Sequence, residues 1–241
     1  MLSKNYNTIF KNTLLSFADN IQKTQDNSLI SKRYSLFYPS LGKEYLANRQ
    51  LLVIGQATNG WCPKWFIKDI PVKADKIVSD SIDYSDEDEG KCPLEWINEK
   101  WSAYKLFRSF FWNVTYKLVK EKYNRTDTDW NNIIAWSNLM KIAPSDYGNP
   151  DSEERQAQLD NCAKLFRQEL EDLKPKNVLI ITNLDRWAEP ILRLANIQTK
   201  EKKGNYIQAI GQHADTKIIV TRRPFIGRHR PFIDELCKEL N

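Results

Sequence analysis

The chain has 241 residues, of which 41% are hydrophobic and 28% charged, and its formal net charge is +5. This length fits one large α/β domain or two small ones, and no run of about 18 apolar residues is present to span a membrane. The modest positive charge permits a polyanionic partner without requiring one. The four cysteines form no CxxC pair and no signal-peptide core precedes them, so we expect reduced thiols in a cytoplasmic protein.

The first half of the chain contains one helical pattern, one strand pattern and two unusual loops. Apolar residues at helical spacing predict an amphipathic helix in the first twenty residues, and residues 1–48 are interpreted as a helical N-terminal extension. The unbroken apolar run Leu51–Ile54 predicts a strand that is buried on both faces. An aromatic loop and an acidic stretch at about residues 75–95 follow. Since the acidic run lacks the glycine and closing glutamate of a calcium loop, it is interpreted as a solvated insertion.

The second half of the chain alternates helical and strand patterns. Aromatic residues at spacings of three to five predict one long helix over Trp96–Leu118, whose stripe is interpreted as core and not as a base-stacking platform. The remaining predicted buried strands are Asn132–Leu139, Val178–Ile181 and Lys217–Thr221, which bring their number to four, and Tyr206–Ile210 is a further candidate for a short strand. The remaining predicted helices are Asp151–Leu173, Leu184–Ala195 and a last one that begins at Pro231. This alternation predicts a three-layer α/β/α sandwich with a central, mostly parallel four-stranded sheet in a single domain over residues 1–241.

Several common catalytic motifs are absent from the sequence. There is no GxGxxG or Gly-Lys-Ser/Thr loop to hold phosphates and no GxSxG elbow for a nucleophilic serine. The two histidines, His213 and His229, are too few for a three-histidine zinc site, and no HExxH motif is present. We therefore expect neither a cofactor nor a metal.

Polar segments follow three of the predicted strands. They are Gly55–Trp61, then Ser137–Lys141 with a loop that contains Asp146, and finally Thr221–Arg230. Ligands of open α/β sheets bind outside the carboxyl ends of the strands, so each segment is a candidate wall of an active site. The alternative for each is a simple polar exit from a strand. The last segment is basic and precedes a helix, which favours phosphate binding over an ordinary basic surface loop.

These three segments resemble the motifs of the uracil-DNA glycosylase superfamily in order and spacing. The sequence VIGQATNGW is similar to the first motif, SNLMK to the second and VTRRPFIGR to the third, and the similarity extends over about Leu51 to Leu240. Members of that superfamily have a small parallel sheet between helices. Their first motif places the residue that activates water, the second carries an asparagine that reads the base, and the third supports the departing base and the DNA.

The resemblance implies a hydrolase that cleaves the N-glycosidic bond of a damaged or modified base flipped out of single- or double-stranded DNA. The residues expected to act in catalysis are Gln56, Asn59, Asp146, Arg223 and His229; those expected to bind the base are Thr58, Trp61, Asn138 and Lys141; those expected to bind DNA are Arg222, Arg228 and Arg230. Within these sets, Trp61 would stack on the base and Asn138 would bind its edge. No membrane and no obligate protein partner is inferred.

The sequence departs from the family pattern at two positions. The first motif has no carboxylate, so Gln56 and Asn59 would hold water by hydrogen bonds alone. Arg223 replaces the usual histidine; it can stabilise a base that leaves as an anion but cannot transfer a proton. Two roles are open for His229, replacing that histidine or capping the last helix. Two other functions also stay open: nucleic-acid or nucleotide binding without catalysis, and hydrolysis of free nucleosides or nucleotides.

Overall fold

The computed structural model describes residues 2–58, 61–85, 94–99, 108–146, 148–202, 204–222 and 229–240. Their strands are β1 (Arg33–Leu36), β2 (Ser40–Leu41), β3 (Leu51–Gly55), β4 (Lys64–Phe66), β5 (Ile134–Asn138), β6 (Ile142–Pro144), β7 (Asn177–Ile181), β8 (Thr199–Glu201), β9 (Ile207–His213) and β10 (Thr216–Thr221). Their helices are α1 (Lys4–Thr24), α2 (Asn27–Ile30), α3 (Tyr45–Asn48), α4 (Ile70–Ser85), α5 (Glu95–Glu99), α6 (Phe110–Tyr123), α7 (Ser152–Gln156), α8 (Leu159–Leu173), α9 (Glu189–Leu194) and α10 (His229–Glu239).

The main sheet has seven strands in the order β2-β5-β3-β7-β10-β9-β8, and β4, β1 and β6 form a second, antiparallel sheet. Strands β5, β3, β7 and β10 are neighbours and run parallel, whereas β2, β9 and β8 are antiparallel to the strands beside them. The α/β class is therefore confirmed, but the predicted size of four strands is wrong because antiparallel strands extend the sheet at both edges. Strands β2 and β8 have only two and three residues, too few to produce an alternating pattern in the sequence.

Helices cover both faces of the main sheet, which explains the unbroken apolar strand patterns. In β3, Leu52 and Ile54 belong to a first core that includes residues of α1, α8 and α9. Leu51 and Val53 of the same strand belong to a second core that includes residues of α6 and α10. Alternate side chains of a strand point to opposite faces, so both faces of β3 are buried. The end of β3, where the candidate site lies, therefore has the first core on one side and the second core on the other.

The predicted N-terminal helix is confirmed as α1. It begins after Ser3, whose side chain accepts a hydrogen bond from the Tyr6 backbone, and it buries Tyr6, Phe10 and Phe17 completely. Helix α1 packs against α8 in the first core. The rest of residues 1–48 contributes β2 to the main sheet and β1 to the second sheet.

Two segments that were each predicted to form one continuous helix contain two separate helices. The pattern over Trp96–Leu118 contains α5 and α6, and Ser109 has extended backbone and acts as the N-cap of α6. Residues 100–107 lie outside the described ranges. The predicted helix Asp151–Leu173 is divided into α7 and α8, because Gln158 between them directs its side chain to the backbone of Ile142 at 2.9 and 2.8 Å.

Two further helices begin differently from the predictions. The predicted helix Leu184–Ala195 starts with a π-helical turn over Leu184–Ala188 and continues as α9. The last helix, α10, begins at His229 and not at Pro231. Of the acidic stretch, residues 75–85 belong to α4, and residues 86–93 lie outside the described ranges. No helix in the described part of the chain combines the length and apolarity needed to cross a membrane.

Candidate functional site

The candidate site lies at the carboxyl edge of the parallel strands β3, β5 and β7. Gly55 at the end of β3 is in register with Asn138 at the end of β5. The backbone pairing continues beyond the strands, since Leu139 N–H donates to the Gly55 carbonyl at 3.0 Å and Met140 N–H donates to the Gln56 carbonyl at 2.9 Å. These bonds fix the two predicted motifs side by side.

Asn138 packs directly over Gly55. Its side chain is on the same face as Trp136, the face of the second core, and only 3% of the residue is exposed. A Cβ atom at position 55 would lie 2.6 Å from Asn138 Oδ1 and 3.5 Å from Cε2 of Phe111 on α6. The absence of a side chain at Gly55 is therefore what allows Asn138 to occupy this position.

The Asn138 amide group is incompletely hydrogen-bonded. Its Nδ2 atom is buried and has no hydrogen-bond partner among the described residues. Buried polar groups are nearly always paired, and an unpaired one costs about 1–3 kcal/mol. An unpaired amide donor beside a glycine at the carboxyl edge of a parallel sheet is a suitable contact for an acceptor atom of a ligand.

Replacing Gly55 with Ala is expected to lower the free energy of unfolding by about 1–3 kcal/mol through overpacking. The added methyl group would overlap Asn138 Oδ1. Urea unfolding of the single variants Gly55→Ala and Asn138→Ala and of the double variant measures this contact. Because Asn138→Ala removes the overlapping oxygen, the double variant should lose less stability than the sum of the single losses. Strict additivity would contradict the described packing.

An aromatic cluster, made by Phe37, Trp61, Trp96, Trp112 and Trp136, lies on the second-core face, and Trp136 of this cluster is two residues before Asn138 on β5. The rings of Trp61, Trp96 and Trp112 have centroids 5.1, 5.9 and 4.9 Å from that of Trp136. The indole nitrogens of Trp61 and Trp96 are buried without hydrogen-bond partners among the described residues. Trp61 is thus held by other aromatic rings, and its predicted stacking on a base stays a prediction.

Gln56 makes its contacts on the other side of the strand end. Its Nε2 donates to Thr182 Oγ1 at 2.7 Å, and its Oε1 accepts from Asn149 Nδ2 at 3.1 Å. Sequence reasoning missed Thr182 and Asn149 as site residues, although Thr182 directly follows the predicted strand β7. Thr58 is 3% exposed and its buried hydroxyl has no hydrogen-bond partner in the described ranges.

Lys141 is a buried structural residue beneath the site. It is 1% exposed, and its ammonium group donates to Ser137 Oγ at 2.6 Å and to the Asn138 carbonyl at 2.7 Å. The same group lies 2.6 Å from Glu169 Oε1 on α8. An ammonium group has three N–H donors, and all of them have acceptors here. The predicted contact of Lys141 with a base does not fit this arrangement; Lys141 instead supports the backbone of Asn138.

Asp146 is held by two cations at some distance along the chain from the strand end. Arg33 binds both carboxylate oxygens at 2.7 and 3.2 Å, and Lys64 is 3.4 Å away. The hydrogen bond from Arg33, followed by its charge, lowers the pKa of Asp146 below its usual value. A carboxyl group with a lowered pKa is ionised at neutral pH, so Asp146 is unsuited to act as a general acid.

Asp146 lines a polar cleft. The cleft has a volume of about 430 Å³ and is lined by Ser31, Lys32, Arg33, Phe66, Pro144, Asp146, Asn149, Asp151 and Glu154. Asn149 connects this cleft to the sheet edge through its hydrogen bond with Gln56. The charged groups of the cleft are paired with one another, since Lys32 binds Asp151 and Glu154 at 3.3 and 2.9 Å.

The basic segment after β10 is described in part. Arg222 is exposed, and its backbone N–H donates to the Tyr206 carbonyl at 2.8 Å. Arg230 is also exposed but pairs with Glu121 at 2.7 Å and with Asp234 at 2.9 Å. The predicted site residues Asn59, Arg223 and Arg228 lie outside the described residues.

His229 occupies the start of α10 against an aromatic ring. Its ring centroid is 5.5 Å from that of Phe110, and its Nδ1 atom is buried without a hydrogen-bond partner among the described residues. Burial, followed by the charge of Lys117, lowers the pKa of His229. The imidazole is therefore neutral at neutral pH and retains the capacity to accept a proton.

Neither a scan of protein-family models nor a search of curated proteins gives a match for this chain. Within the described residues, no three or more histidine, cysteine, aspartate or glutamate side chains are grouped to hold a metal ion. The similarity to uracil-DNA glycosylases therefore stays a prediction that depends on the three strand-end motifs.

Proposed function

We propose that this chain is a DNA glycosylase-like hydrolase that cleaves the N-glycosidic bond of a damaged or modified base flipped out of DNA. The observation that carries this proposal is the buried Asn138 amide beside Gly55, with Nδ2 unpaired. The arrangement of parallel strands between two helical layers supports the same conclusion, because it is the one the family resemblance implies. The net charge of +5 is compatible with a polyanionic substrate.

The proposed chemistry assigns Asn138 to the base and Gln56 to the water. The Asn138 amide would donate to a base oxygen and stabilise the negative charge that develops as the base departs. Gln56 Oε1 already accepts from Asn149, and its second lone pair is the position at which a water molecule would bind. Cleavage would then depend mainly on stabilisation of the leaving base, since an amide is not a strong base.

A second candidate function is nucleic-acid or nucleotide binding without catalysis. The specific observation in its favour concerns Asp146, the single carboxylate predicted for the site, which is already paired with Arg33 and Lys64. A site without an available carboxylate retains binding groups but lacks a strong general base.

A screen of labelled oligonucleotides that carry different damaged and modified bases tests the proposal. Alkaline cleavage after incubation reveals abasic sites, and the proposal predicts abasic product for at least one base. Salt-dependent binding without abasic product for any base would support the binding function instead. Release of a base from free nucleosides or nucleotides, with none from oligonucleotides, would identify a small-molecule hydrolase.

A further inference from the structure

The Gln56 side chain is held by two residues that are distant from it in the chain. Its Nε2 atom donates to Thr182 Oγ1 at 2.7 Å, and its Oε1 atom accepts from Asn149 Nδ2 at 3.1 Å. A primary amide has a donor end and an acceptor end, so its orientation depends on which partner donates and which accepts. These two bonds therefore determine which end of the Gln56 amide faces each neighbour.

Thr182 provides a fixed point but no preference between the two orientations of this amide. It directly follows β7, is 1% exposed, and its backbone N–H donates at 3.2 Å to the carbonyl of Thr221, the last residue of β10. A hydroxyl group can donate or accept a hydrogen bond, so Thr182 is able to bind either end of the amide. The donor group of Asn149 therefore selects the orientation.

Asn149 is exposed, but ion pairs hold the chain on both sides of it. Arg33 binds both carboxylate oxygens of Asp146 at 2.7 and 3.2 Å, and Lys32 binds Asp151 at 3.3 Å. Lys32 and Arg33 are consecutive, and Arg33 begins β1, the middle strand of the second sheet. Ordering an exposed side chain costs conformational entropy, and these ion pairs reduce that cost by restraining the chain near Asn149 before a substrate binds.

We propose that Asn149 is a positioning residue that fixes the orientation of the Gln56 amide for the water molecule of the reaction. With Asn149 as the donor, Gln56 Oε1 keeps one lone pair for an O–H group of water, and Nε2 is directed to Thr182. Asp146 then acts through Asn149 as a second positioning residue. This inference rests on the proposed function for the water bound to Gln56, but not for the orientation of the amide.

The test is Asn149→Asp, which keeps the size of the side chain but replaces its donor with an acceptor. The Gln56 amide is then expected to turn, with Nε2 toward the new carboxylate and Oε1 toward the Thr182 hydroxyl. The signals of the Gln56 side-chain amide in a nitrogen–proton correlation NMR spectrum, assigned by their loss in Gln56→Met, should shift. The single-turnover rate of base excision, measured with the protein in saturating excess, should fall about tenfold, as for one lost hydrogen bond.

Asp146→Asn tests whether Asp146 acts through Asn149. The substitution removes the charge that Arg33 and Lys64 bind, so the excision rate should fall about threefold, the scale of an exposed ion pair. In the Asn149→Asp background the same substitution should have no further effect, because the bond that it supports is already lost. Two losses that simply multiply would overturn the role of Asp146.

The matched control is Asn5→Asp. Asn5 is an exposed residue of α1 whose Nδ2 atom donates to Gln168 Oε1 on α8 at 2.5 Å, so its replacement removes the same kind of bond and adds the same charge. It should leave the Gln56 signals and the excision rate unchanged. Unshifted Gln56 signals in Asn149→Asp, or a wild-type excision rate in that variant, would overturn the inference. If even the wild type releases no base, the glycosylase function fails, whereas shifted Gln56 signals still support the assigned orientation.

Discussion

Asn138→Ala is expected to slow base excision by about 100-fold or more under single-turnover conditions, the usual cost of removing one donor from a developing anion. The proposed role depends on the Asn138 Nδ2 atom, which is buried and has no hydrogen-bond partner among the described residues. The measurement is the rate of abasic-site formation in an oligonucleotide that carries the responsive base. Asn138→Asp keeps the size and the Oδ1 acceptor but removes the amide donor, and it should be nearly as slow as Asn138→Ala.

The control for this prediction is Asn20→Ala. Asn20 is exposed on α1, and its amide group donates to the Ala157 carbonyl at 3.0 Å. Its replacement should leave the excision rate within experimental error of the wild type. An Asn138→Ala variant that is folded and retains the wild-type rate would refute the base-binding role of Asn138.

Lys141→Met is expected to lower the free energy of unfolding by about 3–5 kcal/mol, as found when one partner of a buried ion pair is removed. Lys141 and Glu169 are 1% and 0% exposed, and their charged atoms are 2.6 Å apart. Without the lysine, the Glu169 carboxylate is left buried and uncompensated, with the Tyr6 hydroxyl at 2.8 Å as its remaining donor among the described residues. Urea unfolding followed by circular dichroism measures the change.

Two further variants separate the buried ion pair from a general effect of losing a lysine. Lys141→Met combined with Glu169→Gln removes the uncompensated charge and keeps an acceptor for Tyr6, so it should recover much of the lost stability. Lys76→Met breaks an exposed pair with Asp80, and its effect should stay below about 1 kcal/mol. If Lys141→Met were no more damaging than Lys76→Met, the described burial of Lys141 would be incorrect.

The parts of the fold that could be predicted are those in which local sequence and burial agree. The inner strands are apolar on both faces because helices cover both sides, and this produces the runs Leu51–Ile54 and Val178–Ile181. The missed strands are short, and the break between α7 and α8 depends on Gln158 binding the backbone of Ile142. A contact between residues so far apart in the chain has no local sequence signal, and here it overrides helical propensity.

The residues of the candidate site also divide into those that local sequence could identify and those whose position depends on tertiary packing. Gly55, Gln56 and Asn138 could be selected from the sequence because each stands where a buried strand ends. Lys141 also follows a strand, but the packing of α8 turns it inward to Glu169.

The most direct test of the proposed glycosylase function is chromatographic detection of the released base together with quantification of abasic sites in the same reaction. Glycosidic hydrolysis predicts free base and abasic sites in equal amounts, with both products lowered together in Asn138→Ala. The glycosylase function would be contradicted if the wild-type protein bound the oligonucleotide but released none of the tested bases from its sugar.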